Sequence, residues 1–123
     1  MLNRQQQFGQ TSEMLAARFL KKRRYKILET NYRTRMGEID IIARDGDTIA
    51  FIEVKARTSD QFGNPKGAVT LQKQRKISMV ALQYLKAIQQ SDAKARFDVV
   101  SISTLTEPPV IEIIKNAFEL AYK

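Results

Sequence analysis

The chain contains no cysteine and no histidine. Without cysteine there are no disulfides, no thiolate nucleophile and no cysteine-based zinc site. Without histidine the commonest general base is missing, and with it the Ser-His-Asp triad and every imidazole metal site. Chemistry is left to carboxylates, lysine, serine, threonine or tyrosine. A metal held here would sit on oxygen ligands, which favours Mg²⁺ or Mn²⁺ over zinc or copper. No apolar run approaches the ~20 residues of a membrane span, so no membrane partner is expected. Met1 to Gln10 is polar and lacks the apolar stretch of a signal peptide, so the chain is expected to start here and to remain cytoplasmic. Internal repeats, linkers and low-complexity stretches are also missing, and at 123 residues one domain, 1–123, is expected.

What is present is positive charge. Lysine and arginine total 21 against 13 acidic residues, for a net charge of +8 and a pI near 9.9. That balance favours polyanions, nucleic acid first and an anionic membrane surface second. Charge alone supports the first weakly, since a basic balance also serves solubility.

Hydrophobic periodicity gives the order α-β-β-β-α-β-β. Phe8 to Arg24 reads as an amphipathic helix, with Phe8, Leu15, Ala16, Phe19 and Leu20 at helical spacing. Gly9 argues for a start after it. Lys21-Lys22-Arg23-Arg24 suits the negative end of the helix dipole as well as it suits phosphate. Tyr25 to Arg33, Met36 to Arg44 and Thr48 to Arg57 read as strands, the last two joined by the turn signal Asp45-Gly46-Asp47. The third strand is apolar on both faces until Glu53, as in the middle of a covered sheet. A polar loop, Thr58 to Gly67, leads to a helix over Val69 to Ile88, long enough to cross over to a parallel strand at Arg96 to Ser103. Pro108-Pro109 breaks the chain before a short strand, Val110 to Ile114, and a terminal helical turn is expected over Lys115 to Tyr122. The fold class is α/β, a mixed sheet with helices packed on it.

Chemistry concentrates in Gly37-Glu38-Ile39-Asp40 and Phe51-Ile52-Glu53-Val54-Lys55. Alternate strand residues share a face, which predicts Glu38 and Asp40 pointing one way and Ile39 and Ile41 the other. By the same rule Glu53 and Lys55 share a face, opposite Ile52 and Val54. The hairpin lets Asp40 approach Glu53 across the ladder. Facing carboxylates repel, and their desolvation is costly unless a cation or hydrogen bonds compensate. Two readings remain open. In one, the acids hold a divalent metal that polarises a phosphoryl group and acidifies bound water, with Lys55 orienting that water or stabilising developing charge. In the other, Asp40, Glu53 and Lys55 form a cross-strand salt-bridge cluster. The apolar surroundings of Glu53 favour a site.

Gly37-Glu38-Ile39-Asp40-Ile41-Ile42 and Phe51-Ile52-Glu53-Val54-Lys55-Ala56-Arg57 resemble the YraN-like family of small bacterial proteins. So do Glu13 with Ala16-Ala17, Asn31-Tyr32-Arg33, Lys73 and Lys76, Arg96-Phe97-Asp98-Val99-Val100 and Asn116-Ala117-Phe118. The resemblance runs in order along nearly the whole chain. That family in turn resembles archaeal Holliday-junction resolvases and the restriction-endonuclease-like superfamily, which implies an αβββαβ core. It further implies Asp40 and Glu53 as metal ligands, Lys55 as the catalytic lysine, and Glu13 as a third acid joining the metal. Resolvases of this fold act as dimers, so a homodimer is expected by analogy.

Other residues receive lesser roles. Glu38 is expected to support Asp40 as a neighbouring carboxylate, and Lys73 to support the site from the second helix. Arg33, Arg35, Arg57, Lys73 and Lys76 are candidates for nucleic-acid contact. Arg96 and Asp98, on alternate positions of a strand, read as a structural salt bridge. With no stacked-aromatic pattern, phosphates or junction shape are better targets than bases. The expected function is a metal-dependent nuclease acting on DNA rather than RNA, on branched or damaged DNA in particular. The alternative is a binding module that retains the fold without cleaving.

Overall fold

The computed structural model describes residues 4–57, 69–104 and 107–120. Its elements are α1 (Arg4–Lys22), β1 (Lys26–Thr34), β2 (Gly37–Asp45), β3 (Thr48–Arg57), α2 (Leu71–Ala87), β4 (Lys94–Ser103) and β5 (Val110–Phe118). The strands form one sheet in the order β1-β2-β3-β4-β5. Only the β3–β4 pairing is parallel, and α2 lies in the connection between those strands. This is the mixed α/β arrangement that the αβββαβ expectation describes.

Among the described residues each face of the sheet carries one helix. Ala16 and Leu20 of α1 pack with Ile41, Ala50, Ile52 and Val100 on one side. Ile77, Val80 and Tyr84 of α2 pack with Ile42, Phe51 and Val99 on the other. Ile49 to Glu53 of β3 is buried residue after residue, because neither face of the central strand meets water. The β2–β3 register ends at Asp45 and Thr48, leaving Gly46-Asp47 as a tight turn with Gly46 at φ 63°, a conformation open to glycine.

Three expectations need correction. Helix α1 begins at Arg4 and runs through Gly9, whose helix penalty is small enough for its neighbours to override. The Phe8 side chain and the whole of the Thr58–Gly67 loop lie outside the described residues. At the other terminus no helical turn follows Ile114 among the described residues; β5 continues to Phe118. Phe97 pairs with Phe118 and Val99 with Ile114, so Lys115, Asn116 and Ala117 bulge opposite Asp98. Asn116 sits at φ 55° in the bulge and its N–H donates to Asp98 Oδ1 at 2.9 Å, while Phe118 stacks on Phe97 with centroids 4.8 Å apart. An isolated Asn-Ala-Phe carries no signal for that long-range bond.

Strand alternation also departs from expectation, at the site itself. Ile39 packs in the α2-side core and Ile41 in the α1-side core, so strand alternation breaks at Asp40. The prediction that Ile39 and Ile41 share a face, with Glu38 and Asp40 sharing the other, fails there.

Candidate functional site

The break has a partner in β1. Thr30 pairs with Ile41 and Tyr32 with Ile39, which places Asn31 opposite Asp40, and Asn31 adopts φ 52°. Asparagine tolerates this left-handed region better than most residues. Both strands therefore kink at one level, and Tyr32 and Ile39 turn into the core beneath α2. The last β2–β3 pair is Ile41 with Ile52. Beyond it the Asp40 side chain enters the seam between the strands, and its Oδ2 accepts from the Val54 N–H at 2.8 Å.

Asp40 is consequently short of compensation. Burial raises its pKa from the ordinary carboxylate value to about 7, and the neighbouring Glu53 pushes in the same direction. The Val54 amide and Lys73 oppose them, while Glu13 adds to the rise. Glu53 projects from β3 on the α2 side, on the same face as Phe51, and is only 4% exposed. Its Oε1 forms an ion pair with Lys73 Nζ, and Lys55 Nζ lies 3.9 Å away. Burial works against the Lys73 ammonium, but the hydrogen bond and charge of Glu53, aided by Asp40, lift its pKa above the ordinary lysine value.

Lys73 is aimed by the start of α2. Thr70 caps that helix, its side chain accepting the Lys73 N–H at 3.2 Å, and no acidic residue occupies the first turn. The positive end of the helix thus faces the site without a local counter-charge. Lys76 stands one turn on, over the beginning of β2: a Cβ placed on Gly37 would lie 3.5 Å from Lys76 Cβ.

The remaining candidates are distributed less tightly. Glu13 of α1 is partly buried and hydrogen-bonds the Asn31 side chain at the β1 kink. Burial raises its pKa, with Glu38 and Glu53 adding smaller effects, against the lowering by Asn31 and Arg33. It borders a separate cavity of about 240 Å³ with Met14, Ala17, Thr30 and Asn31. Among the described residues no three acidic groups stand together as a ready metal cage. Glu38 faces its cross-strand partner Arg33 at 3.3 Å rather than supporting Asp40 directly. Arg33 and Arg35 near the β1–β2 turn, Arg57 at the end of β3, and Lys73 and Lys76 on the first turns of α2 share one end of the sheet by topology. The run Lys21 to Arg24 lies at the opposite end, beside the start of β1.

Sequence reasoning missed the double kink, for which Asn31 was the available signal. It also understated a second charged cluster at the far end of the sheet. There Arg96 Nε donates to both oxygens of the fully buried Asp98 at 3.0 Å, and its Nη2 reaches Asp45 Oδ2 at 2.6 Å and Tyr25 Oη at 2.9 Å.

As a donor set, two neighbouring carboxylates with low exposure suit one hard divalent cation, and Asp40 in particular feels Lys73 only at a distance, with no ion pair of its own among the described residues. A two-helix, mixed-sheet protein with paired acids and lysines at one sheet end is the class that fold and site define. The chain belongs to the uncharacterised protein family UPF0102, which it matches over residues 12–102. It is 58% identical over 114 residues to a UPF0102 protein of Geobacter metallireducens, covering 93% of each chain. A UPF0102 protein of Syntrophus aciditrophicus is 54% identical, over 93% of this chain and 90% of the relative. One from Desulfosudis oleivorans is 51% identical, over 97% and 95% respectively.

Proposed function

We propose that this protein is a metal-dependent nuclease that hydrolyses phosphodiester bonds in DNA, with branched or damaged DNA as the favoured substrate class. The observation carrying the reading is the juxtaposition of Asp40 and Glu53 under low exposure, with Lys55 and Lys73 beside them. Asp40 and Glu53 are the residues that would hold Mg²⁺ or Mn²⁺. When bound, such an ion polarises the phosphoryl group and lowers the pKa of its water. Lys55, carried on the same strand face as Glu53, would stabilise negative charge developing on the phosphate. Glu13, at the neighbouring kink, is the third acid that could complete the ligand set through movement of its flexible side chain. Arg33, Arg35, Arg57 and Lys76 hold the phosphate backbone at the same end of the sheet, so binding is salt-sensitive. A homodimer would supply two such sites for symmetrical cutting, and the cytoplasm is the compartment in which this reading applies.

A specific observation favours a second reading. Glu53 already has an ammonium partner in Lys73, and no three-acid cage is assembled among the described residues. A module that binds nucleic acid without cleaving it would need no more. The deciding experiment is cleavage of labelled single-stranded, duplex, flap and four-way-junction DNA with Mg²⁺ or Mn²⁺, comparing wild type with Asp40→Asn, Glu53→Gln and Lys55→Met. The nuclease reading expects metal-dependent cutting that falls at least about 100-fold in each variant. Absence of cutting, with salt-sensitive binding unchanged across all four proteins, would select the binding module.

A further inference from the structure

We infer that Lys73 is a resident counter-cation that neutralises Glu53 in the metal-free protein and leaves it when a divalent cation enters. The inference rests on the metal-site reading above and specifies how that site is loaded. Glu53 is met by two ammonium groups from two elements, Lys55 from β3 and Lys73 from α2, both on the same oxygen, Oε1. A divalent ion bound to that carboxylate would face both positive charges at close range, in surroundings that screen poorly. One ammonium must withdraw.

The two lysines are not equally free to do so. Lys55 is fixed to the strand two residues beyond Glu53, shares its face, and has a side chain 31% exposed. Lys73 reaches in from another element, and its side chain is 41% exposed. It also borders a cavity of about 280 Å³ with Thr70, Gln72 and Lys76, which gives the long side chain room to swing without disturbing the core. Withdrawn there, its ammonium joins Lys76 on the side where the cations at this end of the sheet meet nucleic acid. Metal entry thereby adds a positive charge to the binding surface, and the two ligands favour each other's binding.

The test is Mn²⁺ binding followed by electron paramagnetic resonance at pH 7.5, on the full chain without DNA. Wild type is compared with Lys73→Gln, Glu53→Gln and Arg75→Gln, the last removing an exposed charge from the same helix. Lys73→Gln should bind Mn²⁺ about tenfold tighter, Arg75→Gln less than about twofold tighter, and Glu53→Gln should lose binding. In a second arm, Ca²⁺ should tighten wild-type binding to a short DNA duplex, and Lys73→Gln should lose that tightening. Equal Mn²⁺ affinity in wild type and Lys73→Gln, with Glu53→Gln still defective, would overturn the exchange and leave the metal site standing. No Mn²⁺ binding by wild type or Lys73→Gln would overturn both.

Discussion

The two ends of the sheet each hold low-exposure carboxylates, and they neutralise them by different means. At the β4 start, Asp98 receives both its contacts from fixed partners: the Arg96 guanidinium and the Asn116 amide. Arg96 is itself tied to Asp45 and Tyr25, and Lys115 adds a second cation to Asp45 at 3.3 Å. Burial still pushes the Asp98 pKa up, but planar, directional donors surround it. At the β3 end, Asp40 has one backbone amide, and Glu53 depends on flexible lysines. A guanidinium held at several points locks a bulge. Ammonium groups on long, partly exposed side chains, each meeting a single carboxylate oxygen, hold their partner less rigidly. The difference separates a charge cluster that stabilises a fold from one that can exchange partners.

The largest expected effect lies at the locked end. Arg96→Met leaves Asp98 fully buried without its cation, and should destabilise the protein by roughly 3 kcal/mol. Guanidinium chloride unfolding followed by circular dichroism measures it. The double variant Arg96→Met/Asp98→Asn should recover part of the loss, because the stranded charge is gone. A single variant as stable as wild type would erase the contrast between the two ends.

At the open end the sign reverses. Asp40 holds its proton up to about pH 7 in the folded chain, while an unfolded aspartate releases it near pH 4. Between those values the folded state binds more protons, so Asp40 makes stability fall as pH rises from about 4 to about 7. Above pH 7 both states are ionised and the penalty is constant. Asp40→Asn removes the charge and keeps an oxygen that can accept the Val54 N–H. In EDTA it should therefore be more stable than wild type at pH 8, by on the order of 1 kcal/mol, and no more stable at pH 4. Adding Mg²⁺ should narrow the gap by stabilising wild type alone. Urea unfolding at the two pH values decides it, and a destabilised Asn variant at pH 8 would mean that Asp40 is already compensated.

This contrast explains which parts of the molecule were legible in the sequence. Period-two and helical patterns gave the strand and helix order, because burial on both faces of β3 leaves Ile49 to Ile52 unbroken and apolar. The acid–acid–lysine spacing pointed to Asp40, Glu53 and Lys55 as neighbours, and the hairpin brings them together. Orientation at Asp40 was not legible, because it depends on a paired kink with Asn31 across the sheet. The β5 extension was equally hidden: its bulge is held by Asp98, 18 residues away from Asn116 in the chain. Patterns report local periodicity, whereas a carboxylate that bonds a distant backbone amide changes the geometry without changing the pattern.

The smallest effect separates geometry from mere proximity of charge. At the same end as Arg96, Lys94 Nζ lies 2.9 Å from Asp47 Oδ2, within the 2.6 to 3.0 Å span of the Arg96 contacts. Both side chains are exposed, 74% and 73%, so water and salt compete for each charge and two long-range orderings oppose the gain. Lys94→Ala should leave the thermal midpoint unchanged within measurement error, at low and at high salt alike. If instead it cost as much as Arg96→Met, burial and multiple anchoring would not be what distinguishes the locked cluster. The comparison with the partly exposed Glu53 lysines would then have to rest on something other than exposure.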